Sequence, residues 1–163
     1  MGSTTVSNLE LRYRFHPDVV AVVRDGRRFT LTVANWQPIT FTTPSEALAD
    51  AIAALEGEGA TLETLLRLAG THAGNDAESR VQSYLERFRR GRLLEWCVTG
   101  DGGDAAVLRP LIKGFEFAEE APPAGLTRLS RFAFLRRREE GVVLESAESR
   151  CRLLLLDWRA EWL

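Results

Sequence analysis

The side chains best suited to chemistry are few, and they are scattered. Two cysteines, Cys97 and Cys151, and two histidines, His16 and His72, are all the chain carries of these types. A four-ligand zinc site needs such residues in close pairs, and these four lie far apart in sequence, so no metal centre is expected. A nucleophilic Cys–His pair would have to be assembled from distant segments with nothing local to support it. Cys97 sits in an alternating stretch and reads as a small buried apolar group. Asp101 and Asp104 flank a glycine-rich tip, but an EF-hand loop needs about twelve residues with ligands at regular steps; a turn between strands is the simpler reading. No G-x-S-x-G, P-loop or G-x-G-x-x-G follows a strand-like run. Glu119-Glu120 and Glu139-Glu140 are adjacent acids in linker or turn text, ordinary solvated charge. No catalytic and no metal-binding residue is assigned.

Arginine is the more informative type. Lys113 is the single lysine among 21 cationic residues. High-GC coding produces that bias without function, yet two clusters stand out. Arg80, Arg87, Arg89, Arg90 and Arg92 crowd one helix-like segment, and against Asp76, Glu78 and Glu86 they leave it about +2. Guanidinium groups favour planar, bidentate contact with carboxylate or phosphate. Such a helix suits a DNA groove or an acidic peptide. Arg128, Arg131, Arg136, Arg137 and Arg138 form a denser cluster on strand-like text. Two features weigh against nucleic acid: the chain's net charge is −2, and four of the five helix arginines lie in its last third, away from the end that reads bases.

The elements that position these residues follow from periodicity. Leu9, Leu11, Tyr13 and Phe15 alternate with polar residues, as a half-buried strand does. Val19 to Val23 runs to Asp25-Gly26, where both positions tolerate the positive φ of a hairpin turn. Phe29, Leu31 and Val33 resume the alternation, and Ile39-Thr40-Phe41-Thr42 adds a short strand. From Val19 on, these runs predict a three-stranded antiparallel meander. Thr43-Pro44-Ser45-Glu46 reads as a capping box with proline at the first helical position, ahead of the stripe Leu48, Ala51, Ile52, Leu55. Thr61 caps a second helix ending at Gly70. Asn75 opens a longer third helix with Val81, Tyr84, Leu85 and Phe88 on one face, ending at Gly91. Leu94, Trp96 and Val98 then alternate into the tip at Gly100–Asp104 and return through Val107. A helix pair, a longer helix and a hairpin directly after it spell a winged helix-turn-helix. The fold class is α+β.

Glu119 to Gly125 is charged, proline-bearing text unable to hold an element. It divides a domain over residues 1–117 from a linker over 118–125 and a β-rich unit over 126–163. That last unit offers strands at Phe132–Arg137, Val142–Glu145 and Cys151–Leu156, then Asp157 at a helix N-cap. Sliding by 114 sets Leu153 on Ile39 and Leu155 on Phe41, so the order of Val19 to Leu48 repeats. Either a second, similar module begins here, or these strands pack back on the first domain. At 163 residues the chain can bury a real core. It has no apolar run near the ~20 residues of a membrane span, no signal peptide at Met1–Val6 and no cysteine framework, so a reducing cytoplasm is the expected setting.

Two stretches resemble known families. Ile39 to Leu48 followed by Leu55 to Leu65 is similar to the PqqD-like precursor-peptide recognition elements of ribosomal peptide biosynthesis. Leu129 to Arg137, Val143 to Ser146 and Asp157 to Ala160 resemble the amino-terminal part of SagB-type peptide dehydrogenases, where winged-helix modules precede a flavin-binding nitroreductase domain that oxidises azolines to azoles. No residue of a nitroreductase domain is present, so FMN is expected only in a separate or missing domain, with no cofactor in this chain. The resemblance implies a non-catalytic module that binds a leader peptide as an added strand. The peptide would lie beside Ile39, Thr40, Phe41 and Thr42, with Tyr84 as an amphipathic anchor and Arg80 and Arg87 meeting its carboxylates. The implied partners are the precursor peptide and the modifying enzyme of the same pathway, with homodimerisation through an orphan strand edge; the alternative is a DNA-binding regulator, or the flavin-less part of a peptide oxidoreductase.

Overall fold

The computed structural model describes residues 9–70, 75–100, 103–115 and 131–156. The expected linker over 118–125, the Asp101 side of the tip, His72, Leu129-Ser130 and the helix start at Asp157 lie outside the described residues. The chain is α+β, with a three-stranded antiparallel sheet, a larger antiparallel sheet and three helices among the described residues.

The small sheet is the expected meander: β2 (Val19–Asp25), β3 (Arg28–Val33) and β4 (Ile39–Thr42), in that order. Phe29, Leu31 and Val33 alternate into the core, where Phe29 and Leu31 are fully buried. The hairpin turn sits one residue later than the dipeptide Asp25-Gly26 suggests. Asp25 still pairs with Arg28, and Gly26 alone takes positive φ, at 54°. Glycine at the first central position is what a type II′ connection needs.

Helix α1 (Glu46–Ala53) begins on Ser45, whose hydroxyl accepts from the Leu48 N–H at 3.2 Å. The expected cap, Thr43, belongs instead to the end of the ladder: its N–H donates to the Arg27 carbonyl at 2.8 Å, and its buried hydroxyl donates to the Ser45 carbonyl. Helix α2 (Leu62–Leu68) is capped by Thr61 as expected, its hydroxyl accepting from Thr64 N–H. Helix α3 spans Asn75–Arg90. Buried Leu48, Ile52, Leu55, Leu65, Val81 and Phe88 from the three helices share one core with β3.

The first strand, β1 (Glu10–Phe15), leaves the meander. It pairs with β5 (Ala60–Thr61) on one side and with β6 (Leu94–Gly100) on the other. Gly59, at φ +74°, permits the first contact: a Cβ there would fall 2.4 Å from the Tyr13 carbonyl oxygen. Directly after α3 comes the expected hairpin, β6 with β7 (Gly103–Pro110). Then β8 (Ala133–Arg138), β9 (Gly141–Ser146) and β10 (Cys151–Leu155) form a second three-stranded run. It joins the first half through β10–β7 pairing, which gives a seven-stranded sheet in the order β5-β1-β6-β7-β10-β9-β8. The described strands of the last unit are thus joined to the first half by that one strand pair.

A second small core, Cys97, Val107, Val143 and Leu154, lies on one face of the large sheet. Cross-strand register puts these four on neighbouring strands of the same face.

Candidate functional site

The phase of the β3–β4 ladder decides what β4 offers. Thr43 N–H bonds Arg27 C=O, and antiparallel pairs alternate between bonded and non-bonded. Phe29↔Phe41 and Leu31↔Ile39 are therefore the bonded pairs, and the backbone groups of Thr40 and Thr42 point away from β3. Among the described residues no strand pairs with that outer edge. Thr40 and Thr42 are exposed, whereas Ile39 and Phe41 pack inward against the core. The Thr40 hydroxyl hydrogen-bonds that of Thr30 across the pair at 3.2 Å.

Helix α3 stands beside this edge. Phe41 stacks on Phe29 at 5.3 Å between centroids and 8° between planes. On its other side are Tyr84 at 5.7 Å and Phe88 at 5.5 Å. These rings fill the space between β4 and α3, so the site is an open strand edge over an aromatic floor. Tyr84 closes one end of it: its phenol donates to the outward Thr42 carbonyl at 3.3 Å. Arg87 is exposed and lies over the Tyr84 ring at 5.7 Å. Arg80 is held by Asp76 one turn earlier, at 2.6 Å. Thus Ile39, Thr40, Phe41, Thr42, Tyr84 and Arg87 come together, while Arg80 is engaged within its own helix. Arg89 and Arg90 both reach Glu86, and these two guanidiniums hold its carboxyl below the usual range.

A polar centre that the sequence did not disclose lies in the large sheet. Glu95 is 1% exposed. Arg14 donates to it at 2.9 and 2.7 Å, and Arg109 donates at 2.9 Å. Arg14 continues to Asp104 and Arg109 to Glu140. The last contact ties the β8–β9 turn to β7 across the strand between them. Glu95 shares its row of β6 with Cys97 and Thr99, and that row is buried along with the row of Leu94 and Trp96. The presence of cysteine and threonine in the same row was the available signal. Cys97 is wholly buried, which pushes its thiol up to about 12. His16 is buried next to this centre, its Nδ1 accepting from Asp18 N–H at 3.1 Å. Burial is the main cause that pulls its pKa down, against the attraction of Asp18. Among the described residues no group of three or more His, Cys, Asp or Glu is placed to hold a metal ion. Among them, too, no helix is long and apolar enough to cross a membrane.

A family model described as cyanobactin oxidase ThcOx matches residues 127–163, the stretch that contains β8, β9 and β10. It relates that stretch, a minor part of the chain, to a peptide-tailoring oxidase. No curated protein matches the chain significantly.

Proposed function

We propose that this chain is a winged-helix module that takes the leader region of a ribosomally made precursor peptide as an added strand on β4. In this reading it presents that peptide to an azoline-oxidising enzyme of the same pathway, in the cytoplasm. The observation that carries the reading is the outer edge of β4, left unpaired beside α3 among the described residues while β10 is committed to β7. An extended peptide on that edge would bond the N–H and C=O of Thr40 and the N–H of Thr42, which gives affinity through main chain and leaves specificity to side chains. Arg87, over Tyr84, is exposed beside the edge; Arg80 joins only by leaving Asp76.

Residues 1–117 would be the recognition unit and 126–163 the opening strands of a second, similar one. The match to an oxidase family over 127–163 supports this division. So does the edge phase: Leu156 N–H bonds Ala105 C=O, which turns Leu154 outward from β9, at the position that the offset of 114 assigns to Thr40.

A flavin phosphate would find the arginines of three grooves among the described residues already paired. In the groove formed by Glu10, Arg12, Arg14, Glu58 and Asp104, both arginines are already held by carboxylates. The same is true of Arg109 near His16 and of Arg89 on α3. None of these three grooves offers an uncommitted cation for the phosphate, and the flavin chemistry belongs in this reading to another domain.

Fluorescence polarisation with the leader peptide encoded beside this chain, against random duplex DNA at low salt, tests the proposal. Saturable leader binding that Thr40→Pro abolishes is the expected result. Tight, steeply salt-dependent duplex binding without leader binding would overturn it.

A further inference from the structure

The large sheet ends in a second open strand, and its chemistry differs from that of β4. We infer that the outer edge of β8 is a docking surface for an extended segment of another protein in which acidic and apolar residues alternate.

The ladder phase can be carried outward from β7. Leu156 bonds Ala105 and Leu111 bonds Arg150, so even-numbered β10 residues face β7 and odd-numbered ones face β9. Leu153↔Leu144 and Leu155↔Val142 are then bonded pairs, which makes Arg136↔Val143 and Phe134↔Glu145 bonded pairs in turn. The backbone groups of Ala133, Leu135 and Arg137 are left pointing out of the sheet, and among the described residues no strand takes them.

The two faces of this edge ask for different partners. Leu135, 55% exposed, continues the row of Leu144, Leu153 and Leu108 on one face. The other face carries Phe134, Arg136 and Arg138. There Glu145 receives Arg136 at 2.8 Å, Arg138 at 3.2 Å and Arg152 at 2.6 Å. One carboxylate shared by three guanidiniums leaves a fixed surplus of positive charge. Arg136 also lies 5.9 Å over the exposed Phe134 ring, which holds it near the edge. A strand added to β8 sets an apolar residue opposite Leu135 and turns its two neighbours toward Arg136 and Phe134. Carboxylates are what complement that face. A second copy of this chain is the poorer occupant, because pairing β8 with itself brings together two runs of Arg136-Arg137-Arg138.

The test uses the full chain and an acetylated, amidated probe of sequence Thr-Glu-Val-Glu-Val-Glu-Thr, with a lysine-for-glutamate version as its charge control. We expect slowed hydrogen exchange at the Leu135 and Arg137 amides with the acidic probe alone, and binding at least about tenfold weaker in Arg136→Gln/Arg138→Gln. The lysine control reads the charge requirement on unaltered protein, should that variant fold poorly. Exchange at Leu135 unchanged by the acidic probe would overturn the inference and leave the arginines as guards against aggregation. Equal binding of both probes would overturn it as well, and so would concentration-dependent self-association that Leu135→Lys abolishes.

Discussion

The chain contains two three-stranded runs, β2–β3–β4 and β8–β9–β10, that follow the same course, and their third strands meet opposite environments. In the first, the outer edge of β4 has no strand partner among the described residues and accepts a hydrogen bond from the Tyr84 phenol. In the second, the same edge of β10 is filled by β7 along its whole length. Side-chain periodicity explains the difference. Ile39-Thr40-Phe41-Thr42 alternates and can keep one face wet, whereas Leu153-Leu154-Leu155-Leu156 is apolar on both faces and gains most where both are covered. Leu154 is 2% exposed, in contact range of Val107, Val143 and Cys97; Thr40 and Thr42 are exposed. An open edge is kept where the outward side chains tolerate water, and closed where they do not.

Proline placed at the two equivalent positions should break this comparison most visibly. Leu154 N–H faces β7, so Leu154→Pro removes a ladder bond and a buried side chain and should cost about 3 kcal/mol or more. Thr40 N–H faces outward, so Thr40→Pro should cost about 1 kcal/mol at most. Urea unfolding monitored by circular dichroism measures both. Equal losses at the two sites would mean that the edges are not in the phase described. Thr40→Pro should also weaken leader binding about tenfold or more, because the added strand loses a main-chain donor.

Next in size is the tie between the two halves. Removing Glu95 leaves Arg14 and Arg109 as poorly compensated charges in a largely dry setting. Glu95→Ala should therefore destabilise the chain by about 3 kcal/mol or more. If the Arg109–Glu140 contact helps to hold the β8–β9 hairpin, protease cleavage in that hairpin should rise in the variant ahead of cleavage in β2–β3. Uniform cleavage would show that the network serves the first half alone.

These expectations also mark what the sequence could and could not reveal. The three helices were legible because local rules fix them: Thr61 caps α2 through its own neighbour Thr64, and the apolar stripes of α1 and α3 are strong. The meander and the later hairpins were legible from alternation. Partner choice was not. Nothing local tells β1 to leave its sequence neighbours for β6; that depends on Arg14 meeting Glu95, 81 residues away. The cap of α1 was displaced for a similar reason, since Thr43 is drawn into the ladder by Arg27. At the candidate edge, period two separated Ile39 and Phe41 from Thr40 and Thr42, and the fold set the first pair inward. The closure of the space by Phe41, Tyr84 and Phe88 was not legible, because ring packing is set by three-dimensional approach.

A pH titration separates the buried polar centre from the open edge. His16 is harder to protonate folded than unfolded, chiefly because it is buried and also because Arg109 and Arg92 repel its charged form. Its unfolded form titrates near 6.5. Stability should thus be steady above that pH and fall as acidification proceeds below it toward the lowered folded value. Protonating Nδ1 would in addition break the bond from Asp18 N–H. His16→Asn should flatten the dependence of the urea midpoint between about pH 7.5 and 5.5, the window set by the ordinary histidine range. An unchanged slope would assign the acid sensitivity to carboxylates. Leader binding at β4, which uses no group near His16, should not follow the same curve.

The smallest expected effect bears most directly on the edge. Tyr84 donates a long, exposed hydrogen bond to the carbonyl that an added strand would use at Thr42. It therefore competes with the peptide while its ring supplies the floor on which that peptide rests. Tyr84→Phe keeps the ring contacts with Phe41 and Phe88 and removes only the competing donor. The loss of a bond so near water should move folding stability by about 0.5 kcal/mol or less. Leader affinity should rise about threefold, since a single net hydrogen bond of this kind is worth that order. Tyr84→Ala removes the floor as well and should weaken binding, so the two variants would move in opposite directions. If both weaken binding, the phenol is a contact for the peptide and not its competitor. If neither changes it, the peptide does not lie on this edge, and β4 and β10 differ only in how they are covered.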